Sequence, residues 1–220
     1  MTYVLSDIHG EDDRWKAMLE LIQFSEQDTM YVLGDVIDRK PGGIAILQDI
    51  MQRPNVRMIL GNHEKMCLDT FWSNNDYDAR RLWRHNGGNI THRIMTYIMP
   101  TEDRLQLLRF IQELPDHLEI SVNGQDFYLV HGMPGETQHD RIWGRPEPPP
   151  NEPLIPGKTV ICGHTCTYFL NSLVEGYDED APFEIFYAPG LIDIDCGCGN
   201  SIEQRRLACL RLEDMKEFYC

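Results

Sequence analysis

Five short apolar runs each end in side chains that bind metal ions or move protons. Asp7 and His9 follow the first run, Asp35, Asp38 and Arg39 the second, Asn62 and His63 the third, His131 the fourth and His164 the fifth. Imidazole with carboxylate and amide oxygen, and no thiolate at these ends, suits manganese, iron or zinc better than calcium or an iron–sulfur cluster. Asp7, His9, Asp35, Asn62, His131 and His164 together exceed what one four-coordinate ion needs. Two ions about 3.5–4 Å apart, sharing a carboxylate, would use them all and could clamp a phosphoryl group. Taken singly, each residue is weak evidence, since Asp after Gly is commonly a turn or capping residue. Their recurrence in order at five successive run ends makes coincidence a poor account.

Such residues need elements that end at one place. Tyr3 to Leu5 are β-formers, and Trp15, Met18, Leu19 and Ile22 then recur at helical spacing. Met30 to Leu33 form a second strand, Ile44, Leu47, Ile50 and Met51 a second helix, and Val56 to Leu60 a third strand. Strands alternating with helices predict βαβ units and a mainly parallel sheet, whose ligand site lies beyond the carboxyl ends of its strands. Glycine beside the run ends (Gly10, Gly34, Gly61, Gly132, Gly163) is expected to let the backbone turn sharply. From about Lys65 to Leu114 the pattern is helical and richer in charge, a helical insertion within one domain spanning residues 1–220. The second half is β-rich. His117 to Val122 and Gln125 to Val130 flank Asn123-Gly124, a hairpin signal. Arg145 to Pro156 can only be loop. Thr159 to Cys162, Leu191 to Asp195 and Arg206 to Leu212 read as core strands, with Lys216 to Tyr219 as an added edge.

The series Asp7-x-His9-Gly10, Gly34-Asp35-x-x-Asp38-Arg39, Gly61-Asn62-His63-Glu64, His131-Gly132 and Gly163-His164 resembles the motifs of the PPP-family, calcineurin-like metallophosphoesterases. Asn86-Gly87-Gly88 and Trp143-Gly144-Arg145 resemble local features of the small bacterial and bacteriophage serine/threonine phosphatases of that family. The resemblance covers roughly residues 1–165. It implies an α/β/β/α sandwich and two divalent metal ions, manganese first, with iron or zinc as alternatives. It further implies that Asp7 and His9 bind one ion, that Asp35 bridges, and that Asn62, His131 and His164 complete the second. A hydroxide between the ions would attack, and His63, oriented and kept cationic by Asp38, would protonate the leaving oxygen. Arg39, and with it Arg145, would grip the phosphate. Ser6, Lys40 and Cys166 depart from the usual family pattern, and none of them removes a ligand.

A net charge of −15, from 35 acidic and 20 basic residues, argues against nucleic acid or an anionic membrane as partner. A small phosphorylated substrate stays compatible, because bound cations reverse the local field. The first residues show no secretory pattern, no apolar run reaches the ~18 residues of a membrane span, and seven cysteines in such a chain read as reduced thiols, so a cytoplasmic protein is expected. Cys162, Cys166, Cys196 and Cys198 lack paired zinc spacing and read as buried or loop thiols. His85, His92, His117 and His139 read as surface or packing residues. Arg80, Arg81, Arg84 and Arg93 read as a solvated helix face, with recognition of an anionic substrate as the alternative. Glu175 to Glu184 reads as a solvated loop. The expected activity is hydrolysis of phosphomonoesters, led by phosphoserine and phosphothreonine in proteins. Cleavage of dinucleoside polyphosphates or another small ester is the alternative, and a non-catalytic metal-binding module or a nuclease is less favoured.

Overall fold

The computed structural model describes residues 1–72, 76–146 and 148–220; the parts of the expected insertion at 73–75 and of the expected loop at 147 lie outside the described residues. Tyr3, Met30 and Val32 alternate with Val4, Tyr31 and Leu33 between the two faces of one sheet, and all are buried. A strand with both faces apolar must be covered on both sides, which is what a layered sandwich provides. This sheet has the order β10 (Lys216–Tyr219), β9 (Ala208–Arg211), β1 (Thr2–Leu5), β2 (Thr29–Val32), β3 (Val56–Met58). Its β1–β2–β3 core is parallel, with β9 antiparallel to β1 and β10 antiparallel to β9. The second sheet has the order β4 (His117–Val122), β5 (Gln125–Val130), β6 (Lys158–Cys162), β8 (Leu191–Asp193), β7 (Phe186–Ala188). There β5, β6 and β8 run parallel, and β4 and β7 close the edges antiparallel.

Between the sheets, Val4, Tyr31, Leu33 and Ile59 meet Phe127, Leu129, Ile161 and Ile192. Outside the first sheet, Trp15 and Met18 of α1 (Asp12–Leu21) and Ile46, Leu47 and Ile50 of α2 (Gly43–Gln52) pack on Leu5, Met30 and Val32. The stretch between β3 and β4 is carried by α3 (Asn62–Trp72), α4 (Tyr77–His85), α5 (Asn89–Arg93), a π-helical turn (Ile94–Ile98) and α6 (Thr101–Gln112). Outside the second sheet the cover is thinner, and Met133 and Ile155 lie over Tyr128, Val130 and Val160. The short helices α7 (Gln138–Trp143) and α8 (Thr167–Asn171) complete the chain. The result is the calcineurin-like α/β/β/α arrangement.

Three strands stop earlier than their apolar runs: Leu60, Asp195 and Leu212 stay buried beyond the ladder, in the turns that lead to or from the sheet edge. The hairpin turn holds, with Asn123 and Gly124 both at positive φ (51° and 81°), as a two-residue primed turn requires. The short strand β7 and helices α7 and α8 have no counterpart in the sequence expectation, since their runs are too brief for periodicity to register. No helix among the described residues is long and apolar enough to cross a membrane.

The glycine expectation needs correction. Gly10 and Gly34 do adopt positive φ, but Gly61, Gly132 and Gly163 do not. Those three are small because other groups press on them: a Cβ at Gly163 would overlap Asp7 Oδ2, and one at Gly132 would lie 2.8 Å from Gly144 N. Gly34 combines both demands, with φ +95° and a built Cβ only 2.5 Å from the Gly61 backbone. Gly34→Ala should therefore destabilise the protein by about 3 kcal/mol in urea titration, adding backbone strain to overpacking. Gly124→Ala, at φ +81° with nothing within 4 Å, should show the backbone part alone, about 1 kcal/mol. Equal losses at the two sites would deny the close approach any energetic role.

Candidate functional site

The carboxyl ends of β1, β2, β3, β5 and β6 point to one edge of the sandwich, and the turns leaving them are tied to one another. Asp7 N donates to Gly34 O (3.2 Å), His9 N to Asp35 O (3.0 Å), and Gly163 N to His131 O (2.9 Å). The two sheets are joined there by side chains: His131 Nδ1 meets Leu33 O at 2.7 Å, and His164 N donates to Asp7 Oδ2 at 3.0 Å. Asp7, His9, Asp35, Asp38, Arg39 and His164 all sit at positive φ. Only Gln23, Asn123 and Met215 share that conformation among the other non-glycine described residues. Each such residue costs of order 1–3 kcal/mol, and strain of this kind collects at functional sites.

Asp35 lies at the centre. Its Oδ1 accepts from His63 N (3.0 Å) and faces His131 Nε2 (3.3 Å). Its Oδ2 faces His9 Nε2 (3.5 Å) and His63 Nε2 (3.7 Å). His9 Nε2 is also 3.8 Å from Asp7 Oδ1. His131 Nε2 is 2.9 Å from Asn62 Oδ1, and His63 Nδ1 is 2.6 Å from Asp38 Oδ2. The structure thus brings together Asp7, His9, Asp35, Asp38, Asn62, His63, His131 and His164. Arg39 is exposed at the rim, with Nη1 on Asn200 Oδ1 (3.2 Å), and Arg145 reaches Thr165 Oγ1 (3.4 Å), beside His164.

The donor set fits divalent cations. His9, Asp35 and His63 offer ligand atoms within 4.8 Å of one another, and so do Asp35, His131 and His164. His9 Nε2 and His164 Nε2 are buried without a hydrogen-bond partner. For His9, the other ring nitrogen is occupied by Ile37 O at 3.0 Å, which fixes the tautomer and turns the Nε2 lone pair toward the carboxylates. An orphaned buried nitrogen aimed at carboxylates calls for a partner, and a cation between them would supply one.

Proton affinities say the same. Burial opposes charge on His131, yet Asp35, with Asp7 and Glu64, raises it to about 10. Burial and the neighbouring His131 push His164 down to about 3. Burial, then the charges of His63 and Arg39, hold His9 well below the usual imidazole range. Burial would raise Asp35, but His131 and His63 outweigh it and hold it low, while burial and Asp35 raise Asp7. A histidine must be neutral to ligate, so a proton held by His131 near pH 7 has to leave when a cation enters. Titrating manganese into chelator-stripped protein in buffers of different ionisation heat should show about one proton released, with affinity rising as pH rises. Binding without proton release would show that the ion does not displace this proton.

Several residues escaped the sequence reading. Glu64 is buried, and its carboxylate accepts from the backbone N–H groups of Asp35 (2.8 Å), Val36 (2.9 Å) and Ile37 (3.3 Å), so it shapes the turn that presents Asp35. Burial and the Asp35 charge raise it to about 7. Asp193 and Asp195 are buried at the end of β8. Burial and Asp7 raise Asp195 to about 8, and burial and Asp195 raise Asp193 well above the carboxylate range. A charged residue ending an apolar run was their available signal. Ser6, a departure from the family pattern, donates its hydroxyl to Asp7 Oδ2 at 2.5 Å.

The remaining candidates stay outside the site. The seven cysteines are free, and six are buried. His92 stacks on Phe71, His117 on Tyr128 and His139 on Trp143. On α4, Arg80, Arg81 and Arg84 with Tyr77 line a shallow surface cleft.

The sequence profile described as calcineurin-like phosphoesterase matches residues 2–182. A symmetrical bis(5'-nucleosyl)-tetraphosphatase of Acidovorax ebreus (strain TPSY) is 32% identical over 131 residues, 59% of this chain and 42% of that relative. The protein of the same name from Cronobacter sakazakii (strain ATCC BAA-894) is 38% identical over 72 residues, 32% of this chain and 25% of that relative. The matched stretches thus span less than half the length of these relatives. Among solved structures, a metallophosphoesterase from Sphaerobacter thermophilus superposes with a TM-score of 0.57 at 16% identity, covering 99% of this chain and 85% of that one. A protein serine/threonine phosphatase from Saccharomyces cerevisiae superposes with a TM-score of 0.58 at 12% identity, covering 94% and 71%. At these identities the structures speak to the fold alone.

Proposed function

The chain belongs to the calcineurin-like phosphoesterases, and from that premise we propose that it hydrolyses dinucleoside polyphosphates or closely related small phosphate esters with the help of two divalent cations. One observation carries the substrate class: the 131-residue match at 32% identity is to a symmetrical bis(5'-nucleosyl)-tetraphosphatase. It favours the alternative of the sequence reading over phosphoserine and phosphothreonine, which rest on the short local resemblances at Asn86-Gly87-Gly88 and Trp143-Gly144-Arg145 and on a likeness of fold.

Asp7, His9 and Asp35 would hold one cation, and Asp35, Asn62, His131 and His164 the other. Cations held there would supply Lewis acidity toward a phosphoryl oxygen and lower the pKa of bound water. Manganese is the first ion to test, with iron and zinc next. The chain's own residues do the rest. Arg39 and Arg145 stand at the rim on turns from opposite sheets, where their planar donors would receive non-bridging phosphate oxygens. His63 turns Nε2 into the site, and Asp38 accepts from Nδ1. Burial opposes its charge, but Asp35 and Asp38 raise its proton affinity. A histidine of raised proton affinity, with Nε2 facing the substrate position, is suited to deliver a proton to the leaving oxygen.

Manganese-loaded protein should cleave diadenosine tetraphosphate to two ADP, with kcat/KM at least about tenfold above that for phosphopeptides, a preference of ~1.4 kcal/mol. The reverse preference would overturn the substrate class and leave the chemistry standing. Silence on both, and on an aryl phosphate with every divalent metal, would overturn the enzyme reading. His63→Asn should keep its metal content and lose about 100-fold in turnover of an alkyl phosphate, with a smaller loss on dinitrophenyl phosphate. Equal losses on the two leaving groups would remove His63 from the acid role.

A further inference from the structure

Asp38 is held from a direction that the reaction does not explain. Its Oδ2 accepts from His63 Nδ1 at 2.6 Å and also from Trp83 Nε1 at 2.6 Å, while its Oδ1 is buried without a partner. Trp83 belongs to α4, 45 residues further along the chain, and is fully buried. Its ring meets Phe71 and His92 edge-on, with centroids at 6.0 and 5.8 Å. It also rests on Gly88, where any Cβ would overlap the indole. The grip extends to the backbone. Asp38 N donates to Thr91 Oγ1 (3.1 Å), and Arg39 N donates to Gly87 O (3.2 Å).

Asp38 and Arg39 are consecutive non-glycine residues at positive φ, 76° and 63°. Such a pair persists only where its surroundings over-determine it. Residues 83–91 supply three hydrogen bonds to this pair, from Trp83, Gly87 and Thr91, while Lys40 N donates to Asp38 O and Asn200 meets the Arg39 side chain. A buried indole N–H needs an acceptor, and an apolar wall with a backbone carbonyl would have served. Here it uses the same oxygen as His63, so two donors pin one carboxylate oxygen and stop the group turning about its last bond.

We propose that residues 83–91 act as a clamp on the catalytic turn, with Trp83 as a positioning residue that sets the Asp38 carboxylate for His63 and Thr91 and Gly87 holding the backbone beneath it. The inference rests on the reading of His63 and Asp38 as the acid pair. Trp83 touches no reacting atom; it acts through Asp38.

Trp83→Phe keeps the ring and removes the donor. In manganese-loaded protein, kcat for an alkyl phosphate should fall about tenfold, the scale of a hydrogen bond to a charged group. KM and metal content should stay within about twofold, and dinitrophenyl phosphate should be nearly unaffected. The decisive comparison is with Asp38→Asn. If Trp83 acts through Asp38, the double variant should be no slower than Asp38→Asn alone, because the charge that Trp83 positions for His63 is already removed. Multiplied losses, or an undiminished Trp83→Phe, would overturn the clamp. An Asp38→Asn variant as active as wild type would instead sink the acid pair itself. Should Trp83→Phe lose cooperative thermal unfolding, Thr91→Val replaces it. That variant removes the acceptor for Asp38 N–H at nearly constant shape, and the same non-additivity with Asp38→Asn is required of it.

Discussion

Buried negative charge is the constraint on which the rest of this structure depends. Asp7, Asp35, Asp38, Glu64, Asp193 and Asp195 are all buried, and no lysine or arginine is buried among the described residues. An isolated ionised carboxylate in such surroundings is expensive, and nature offers three remedies: a proton, a hydrogen-bond donor or a cation. All three are visible. Asp193 and Asp195 are pushed toward the protonated form, Asp195 by burial and the Asp7 charge, Asp193 by burial and the Asp195 charge. Glu64 takes backbone donors, three N–H groups of one turn. Asp35 is left with imidazoles on every side, and two imidazole nitrogens nearby have no partner of their own. The unsolved part of the charge problem coincides with the place where cations would sit.

The same constraint explains the strained backbone. Carboxylates and imidazoles can converge on one small volume only if the turns after β1, β2 and β6 reverse within a residue or two. That places the functional residues themselves, and not merely their glycines, at positive φ. Strain is tolerated because the turns are bound to one another across the sheet edge. Glycines at 61, 132 and 163 then serve proximity, leaving room for the side chains and backbone that crowd in from the neighbouring strand.

This division shows what could be read from the sequence. The strands β1, β2, β5 and β6 were legible because short apolar runs ended in residue types that a turn alone does not require. Their common destination followed from the βαβ order. Asp193 and Asp195 were not legible as partners of the site, because their nearness to Asp7 depends on β8 pairing with β6, a register that periodicity does not encode. The Trp83–Asp38 contact was hidden for a similar reason. Trp83 is fully buried on α4, and only the tertiary fold shows which acceptor its N–H finds. Pattern reveals which face is buried, and contact reveals what it is buried against.

That distinction bears on where substrate choice resides. On the proposed reading, the site residues from Asp7 to His164 would carry a chemistry common to many phosphate esters and leave little room for discrimination among them. Arg39 and Arg145 differ in kind, being exposed side chains on turns from opposite sheets, each with one neutral partner, Asn200 or Thr165. A neutral partner positions a guanidinium without spending its charge, so on the proposed reading both would remain available to phosphate. His131 and His164 tie the two sheets together at this edge. The turns that carry the two arginines are therefore joined through the sandwich, and on the proposed reading selectivity would come from what lies outside them. On the first-sheet side that surface is the helical layer, whose residues 83–91 also hold the Arg39 backbone. A change in that layer would then alter recognition and the acid pair together, which couples substrate choice to turnover through one short segment.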